Sequence, residues 1–196
     1  MEGKFGRPYR GKRVQQPERK KGFWANGGDL LVIVVVIVVL FRVVLQLAWV
    51  PTGSMETTIP ARSLLISLRL PYLLGDPQPD RGDVVTFWSD ELDKLLVKRV
   101  IGLPGDEITF QGGYVYVNGA RLDEPYLDDP GYSSAPQTSY VVPEGYLFFL
   151  GDNRPGSNDG RFWEQPFIPL EKVQAGVLLV ISPLPDNSWW GIGTAG

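Results

Sequence analysis

The stretch YVYVNGARLDEPYL, Tyr114–Leu127, decides the fold class. Alternating Tyr and Val favour a pleated strand, and Asn118-Gly119 supplies the two positive-φ positions of a type I′ hairpin turn. The chain must reverse there within two residues and pair antiparallel with the next segment. Similar short runs lie on either side: DVVTFW (83–88), LLVKRVI (95–101), EITF (107–110), YLFFL (146–150) and VLLVIS (177–182), separated by Gly, Pro, Asp and Asn. No segment of this region sustains helical periodicity beyond about three turns. With 23 Gly and 17 Pro among 196 residues, the expected body is all-β, built mainly of antiparallel strands.

Upstream the pattern changes. LLVIVVVIVVLFRVVLQLAWV, Leu30–Val50, begins with 12 uninterrupted apolar residues. Twenty-one helical residues would reach about 31 Å, the thickness of one hydrocarbon core. The all-β domain is therefore expected to follow one N-terminal transmembrane helix. Arg42 fits poorly near a membrane centre, where it costs roughly 2.5–3.5 kcal/mol, so an alternative span starts near Phe23 and ends at Arg42. Eight Lys or Arg and three acidic residues precede Leu30, which predicts a cytoplasmic N-terminus. After Val50 the balance reverses, with 10 basic and 19 acidic residues. A cleaved secretory signal has the same outline, but no small-x-small site follows, since Trp49 and Pro51 occupy the critical places. The expected organisation is a basic cytoplasmic tail (1–22), a membrane signal-anchor (23–50) and an extracytoplasmic β-rich domain (51–196).

The chain contains neither cysteine nor histidine. That excludes disulfides, thiol nucleophiles, Ser-His and Cys-His pairs and imidazole metal sites. A hydrolase of this composition needs a carboxylate, a lysine of lowered pKa or a metal-bound hydroxide as its base.

Three segments could carry such chemistry. VPTGSMETTIP, Val50–Pro60, places Ser54 in a Pro- and Gly-containing turn, where a nucleophile and backbone N–H groups can face a substrate. LLVKRVIGLPGD, Leu95–Asp106, sets Lys98 and Arg99 inside an apolar strand. Strand alternation puts them on opposite faces without saying which points inward. Arginine keeps its proton in proteins, so only Lys98 can serve as a base, once apolar burial lowers its pKa. Snorkelling from an edge strand, or an ion pair, are the structural alternatives for Lys98. GDNRPGSNDGR, Gly151–Arg161, is too polar for a core strand; it is either a solvated loop or an ion-pair brace beside a site, and it lacks the spacing of an EF-hand calcium loop.

Together these segments resemble the type I signal peptidases. PTGSM is similar to that family's nucleophile box, RGDVVTFW to its Gly-Asp strand box, VKRVIGLPGD to its lysine box and GDNRPGSNDGR to its last box. The four stand in the family's order, behind an anchor in the expected place. The resemblance implies a signal-peptidase-like catalytic domain with Ser54 as nucleophile and Lys98 as general base, and with the Ser54 N–H and the Thr52 hydroxyl as oxyanion hole. It also implies that Ser157 orients the Lys98 amine, that Asp159 and Arg161 form a supporting pair, and that Val50, Met55, Ile59, Leu96 and Val97 line small apolar pockets. Substrates would be preproteins cut after a small-x-small pattern. The implied partners are these substrates and membrane lipids, with no nucleic acid, metal or cofactor, and the enzyme is expected to be a monomer.

Some positions depart from the family. Its Pro-Thr-Leu is Thr57-Thr58-Ile59 here, its following Gly-Asp is Arg62-Ser63, and Gly160 replaces a common serine, which leaves the loop after Met55 and the pocket specificity open. Two rival readings remain at this level: a self-cleaving protease of the LexA type, and an anchored β module that binds peptides without cutting them.

Overall fold

The structure, a computed structural model, describes residues 28–75, 78–129, 133–136, 139–183 and 190–195. The basic tail at 1–22 and the start of the expected span at 23–27 lie outside these residues. Helix α1 covers Gly28–Val39 and is followed by a π-helical turn, Leu40–Val44. Among the described residues no helix is long and apolar enough to cross a membrane.

The end of the expected span is corrected by the structure. Leu45–Val50 is strand β1, paired residue for residue with β2, Ser63–Leu68. LQLAWV alternates: Val50 is buried and Gln46 and Ala48 half-buried, whereas Leu47 and Trp49 are exposed. Apolar content alone reads the same in a helix and a strand; the period of two distinguishes them.

The remaining strands are β3 (Val84–Ser89), β4 (Lys94–Gly102), β5 (Glu107–Gln111), β6 (Tyr114–Val117), β7 (Ala120–Arg121), β8 (Ser139–Val141), β9 (Tyr146–Leu150), β10 (Phe167–Pro169), β11 (Val173–Pro183) and β12 (Trp190–Gly193). Every strand pair among the described residues is antiparallel, as expected from the sequence. The larger sheet runs β1-β2-β11-β3-β4-β9-β10, with β12 also on β11, and the smaller runs β7-β6-β5-β8. Asn118 and Gly119, at φ 53° and 79°, make the two-residue turn between β6 and β7.

All that positions the site lies within one compact unit, Ile37–Gly196. One apolar cluster gathers Val85, Phe87, Val100 and Phe149, with the rings of Phe87 and Phe149 stacked at 4.3 Å. A second cluster packs Val50, Met55, Ile59, Leu65 and Val84. Strand β4 has apolar packing on both faces, with Leu96 and Val100 against the first cluster and Val97 against the second. It pairs with β3 from Lys94 to Arg99 but with β9 only from Arg99 onward. Among the described residues its Leu95–Val97 edge is thus left without a neighbouring strand, and β1 likewise pairs only with β2.

Candidate active site

Ser54 sits in the turn after β1. Glu56 N–H donates to the Gly53 carbonyl and Ile59 N–H to that of Met55, at 3.0 and 2.7 Å, which coils the backbone tightly. Met55 and Ile59 are fully buried and pin the turn to the core. Both were expected to line substrate pockets; they are instead the foundation under Ser54, and neither reaches the clefts beside it.

Lys98 comes from the middle of β4 and is 2% exposed. Its Nζ lies 2.5 Å from Ser54 Oγ and 3.1 Å from the Val97 carbonyl oxygen. Loss of hydration lowers its pKa from 10.5 to about 8, despite Asp159 and Asp152, whose charges act to raise it. About a tenth of Lys98 is then neutral at pH 7. The Ser54 N–H has no acceptor among the described residues, and the Thr52 hydroxyl is also unpartnered and exposed.

Two clefts meet at this pair. The first is lined by Ala48, Val50, Leu65, Thr86, Leu96 and Val97, the second by Gly53, Glu56, Leu92, Asn153, Gly156 and Asn158; both include Thr52, Ser54, Lys94 and Lys98. Val50, Leu96 and Val97 line the first cleft. A mainly apolar cleft on one side of a serine–lysine pair and a more polar one on the other suit a peptide that crosses Ser54.

The family model for signal peptidase, peptidase S26, matches residues 24–182. The chain belongs to this signal peptidase family. It is 35% identical to a probable signal peptidase I-2 of Synechocystis over 182 residues, covering 89% of this chain and 79% of the relative. It is 30% identical to the signal peptidase I of Pseudomonas aeruginosa, covering 73% of this chain but 64% of that relative's length. A crystal structure of a signal peptidase I from Enterococcus faecalis V583 aligns at 34% identity and a TM-score of 0.45, covering 53% of this chain and 99% of that one. This signal peptidase is accordingly a serine hydrolase that removes signal peptides.

The last box of the peptidase packs around the pair. Asp159 and Arg161 form a buried ion pair at 2.8 Å, and Asp159 Oδ2 also accepts from the Gly151 N–H at 2.9 Å. Ser157 is buried beside them, but among the described residues its hydroxyl has no hydrogen-bond partner, the Lys98 amine included. A Cβ on Gly151 would strike both the Ser157 hydroxyl and the Ser54 carbonyl oxygen, so only glycine lets the two segments approach. At Gly160 a Cβ would meet Phe148 Cε2 at 2.8 Å and the Pro166 carbonyl oxygen at 3.0 Å, which explains the absence of serine there.

Four contributors were missed at the sequence level. Asn153 clamps the serine turn: its N–H donates to the Ser54 carbonyl at 3.2 Å and its Nδ2 to the Gly53 carbonyl at 2.9 Å. Arg99, 3% exposed, holds Asp152 through two hydrogen bonds of 3.0 and 2.7 Å, and its guanidinium stacks over the Tyr126 ring at 3.8 Å. Thr58 donates to the same Asp152 carboxylate at 2.5 Å. One signal was available: an arginine alternating with Val97 and Ile101 requires a buried acid, and Asp152 lies just beyond the apolar YLFFL strand.

The departures after Met55 also have a geometric expression. Thr57 stands at φ 85°, which proline cannot adopt, so this turn differs from one built on Pro-Thr-Leu. Arg62 takes φ 66°, the left-handed conformation in which glycine is the more usual residue.

Proposed function

We propose that the protein is a membrane-anchored endopeptidase in which Ser54 is the nucleophile and Lys98 its general base, cutting exported preproteins after a small-x-small pattern. The observation that carries this reading is the 2.5 Å approach of a lysine amine, with its pKa lowered to about 8, to a serine hydroxyl beside an apolar cleft.

In the first step the neutral Lys98 amine takes the Ser54 proton as Oγ bonds to the scissile carbonyl carbon. The carbonyl oxygen becomes anionic and is met by the Ser54 N–H and the Thr52 hydroxyl. The C–N bond then breaks, and the Lys98 ammonium gives its proton to the departing amine. Water attacks the resulting ester with Lys98 again accepting the proton, and that proton returns to Ser54 Oγ as the acid leaves. Ser157, Asp159 and Arg161 support the site by packing: the ion pair fixes Gly151, and Gly151 admits both Ser54 and Ser157.

The unpaired edges of β1 and β4 suit an extended substrate that adds as a strand, with Val50, Leu96 and Val97 admitting small side chains. Twelve apolar residues behind eight cations favour an anchor in the plasma membrane, with the N-terminus cytoplasmic and the catalytic unit on the opposite side. Both members of the pair come from one chain, so a monomer suffices.

Detergent-solubilised protein incubated with a preprotein tests the dyad. Ser54→Ala and Lys98→Ala should each abolish processing, and wild-type rates in either would end the assignment. In oriented vesicles, external protease should digest the acidic body and spare the basic tail; the opposite pattern would reverse the topology.

A further inference from the structure

The lining of the first cleft is mainly apolar, but besides the serine–lysine pair it includes a buried threonine. Thr86 lines it from β3, opposite Val97 in the β3–β4 register, and is 1% exposed. Its hydroxyl donates to Gln46 Oε1 at 2.6 Å, and Gln46 Nε2 donates to Gln174 Oε1 at 3.0 Å. Across the β1–β2 ladder Gln46 faces Ser67, whose fully buried hydroxyl has no partner among the described residues. A polar group placed in the interior costs free energy unless it is hydrogen-bonded; of these residues it is Thr86 that lines the cleft, and a lining meant only for methyl groups would need no hydroxyl there.

We propose that the Thr86 hydroxyl, held by Gln46 behind it, makes the first cleft selective for a hydroxyl-bearing side chain, serine or threonine, at the third residue before the scissile bond. The inference rests on the Ser54–Lys98 chemistry and goes beyond it by naming the side-chain chemistry preferred. In an extended peptide alternate side chains share a face and lie roughly 6.6 Å apart. A peptide laid along the cleft with its scissile carbonyl at Ser54 would turn that residue toward Lys98 and the residue two positions earlier toward Thr86. A threonine hydroxyl has one proton and two lone pairs. Thr86 gives its proton to Gln46, so its oxygen remains an acceptor for an incoming hydroxyl. Gln46, held in turn by Gln174, fixes that orientation.

The experiment uses the full-length protein in detergent and two preproteins identical except for threonine or valine at the third residue before the cut. These side chains have nearly the same shape and differ in the hydroxyl. Wild-type kcat/KM should favour threonine by roughly three- to tenfold, the range of one net hydrogen bond. Thr86→Val should bring that ratio to one or below, and Thr86→Ser, which keeps the hydroxyl, should restore it. Equal or faster cleavage of the valine preprotein by the wild type overturns the inference alone, whatever the variants do. Absence of any Ser54-dependent cleavage overturns the dyad and the inference together.

Discussion

The two faces of β4 solve the same problem in opposite ways. Lys98 and Arg99 are neighbours in sequence and almost equally buried, at 2% and 3% exposure. On one face Arg99 meets a carboxylate in bidentate contact, a threonine hydroxyl and two carbonyl oxygens, so its charge is retained and balanced. On the other, Lys98 contacts only a hydroxyl and a carbonyl oxygen, while Asp152 and Asp159 influence it without touching it. Arginine cannot shed its proton and therefore must be paired; lysine can, and the fold withholds the partner that would stop it. The carboxylate is instead bound one residue away, by Arg99.

The largest expected effect comes from erasing the difference. Lys98→Arg keeps the charge but removes the base, and should lower single-turnover cleavage by roughly 10²–10⁴-fold. In the wild type, kcat/KM should rise with pH and level off above about 8; a profile flat from pH 6 to 9 would contradict the lysine base. Next comes Arg99→Met, which strands Asp152 in the interior. It should destabilise the protein by roughly 3–5 kcal/mol in urea unfolding, and adding Asp152→Asn should recover part of that loss.

Lys98→Met tests the opposite face and should stabilise the fold by roughly 1–3 kcal/mol at pH 6. Folded Lys98 binds its proton more weakly than unfolded lysine, so the charged form opposes folding below about pH 8. That penalty fades as pH rises toward 10.5, and the gap between variant and wild type should close over this window. The smallest effect belongs to Thr58→Val, which removes one hydrogen bond to Asp152 and should cost about 1 kcal/mol in the same unfolding assay.

How far the sequence could be read depends on which features are local. The Asn118-Gly119 turn was legible because two residues fix its conformation. Ser54 and Lys98 were brought forward by their boxes and by the absence of histidine, and the structure sets them 2.5 Å apart. Strand β1 was hidden by its composition, since LQLAWV continues a membrane-like run and only its pairing with β2 reveals the period of two. Met55 and Ile59 stand close to Ser54 in the chain, but a coiled turn sends them beneath it. Asn153 and Asp152 lay in a box already singled out; their partners, Gly53 and Arg99, are too distant in sequence for spacing to join them.

The clamp between Asn153 and the serine turn joins positions 100 residues apart. A chain synthesised only as far as β4 already contains Ser54 and Lys98, but the serine turn is unheld, Arg99 lacks Asp152, and Gly151 has yet to bring the last box against Ser54. Closing such distant contacts comes late in folding. The half-made chain therefore holds Ser54 and Lys98 without the contacts that set their geometry, which arrive only with the finished fold.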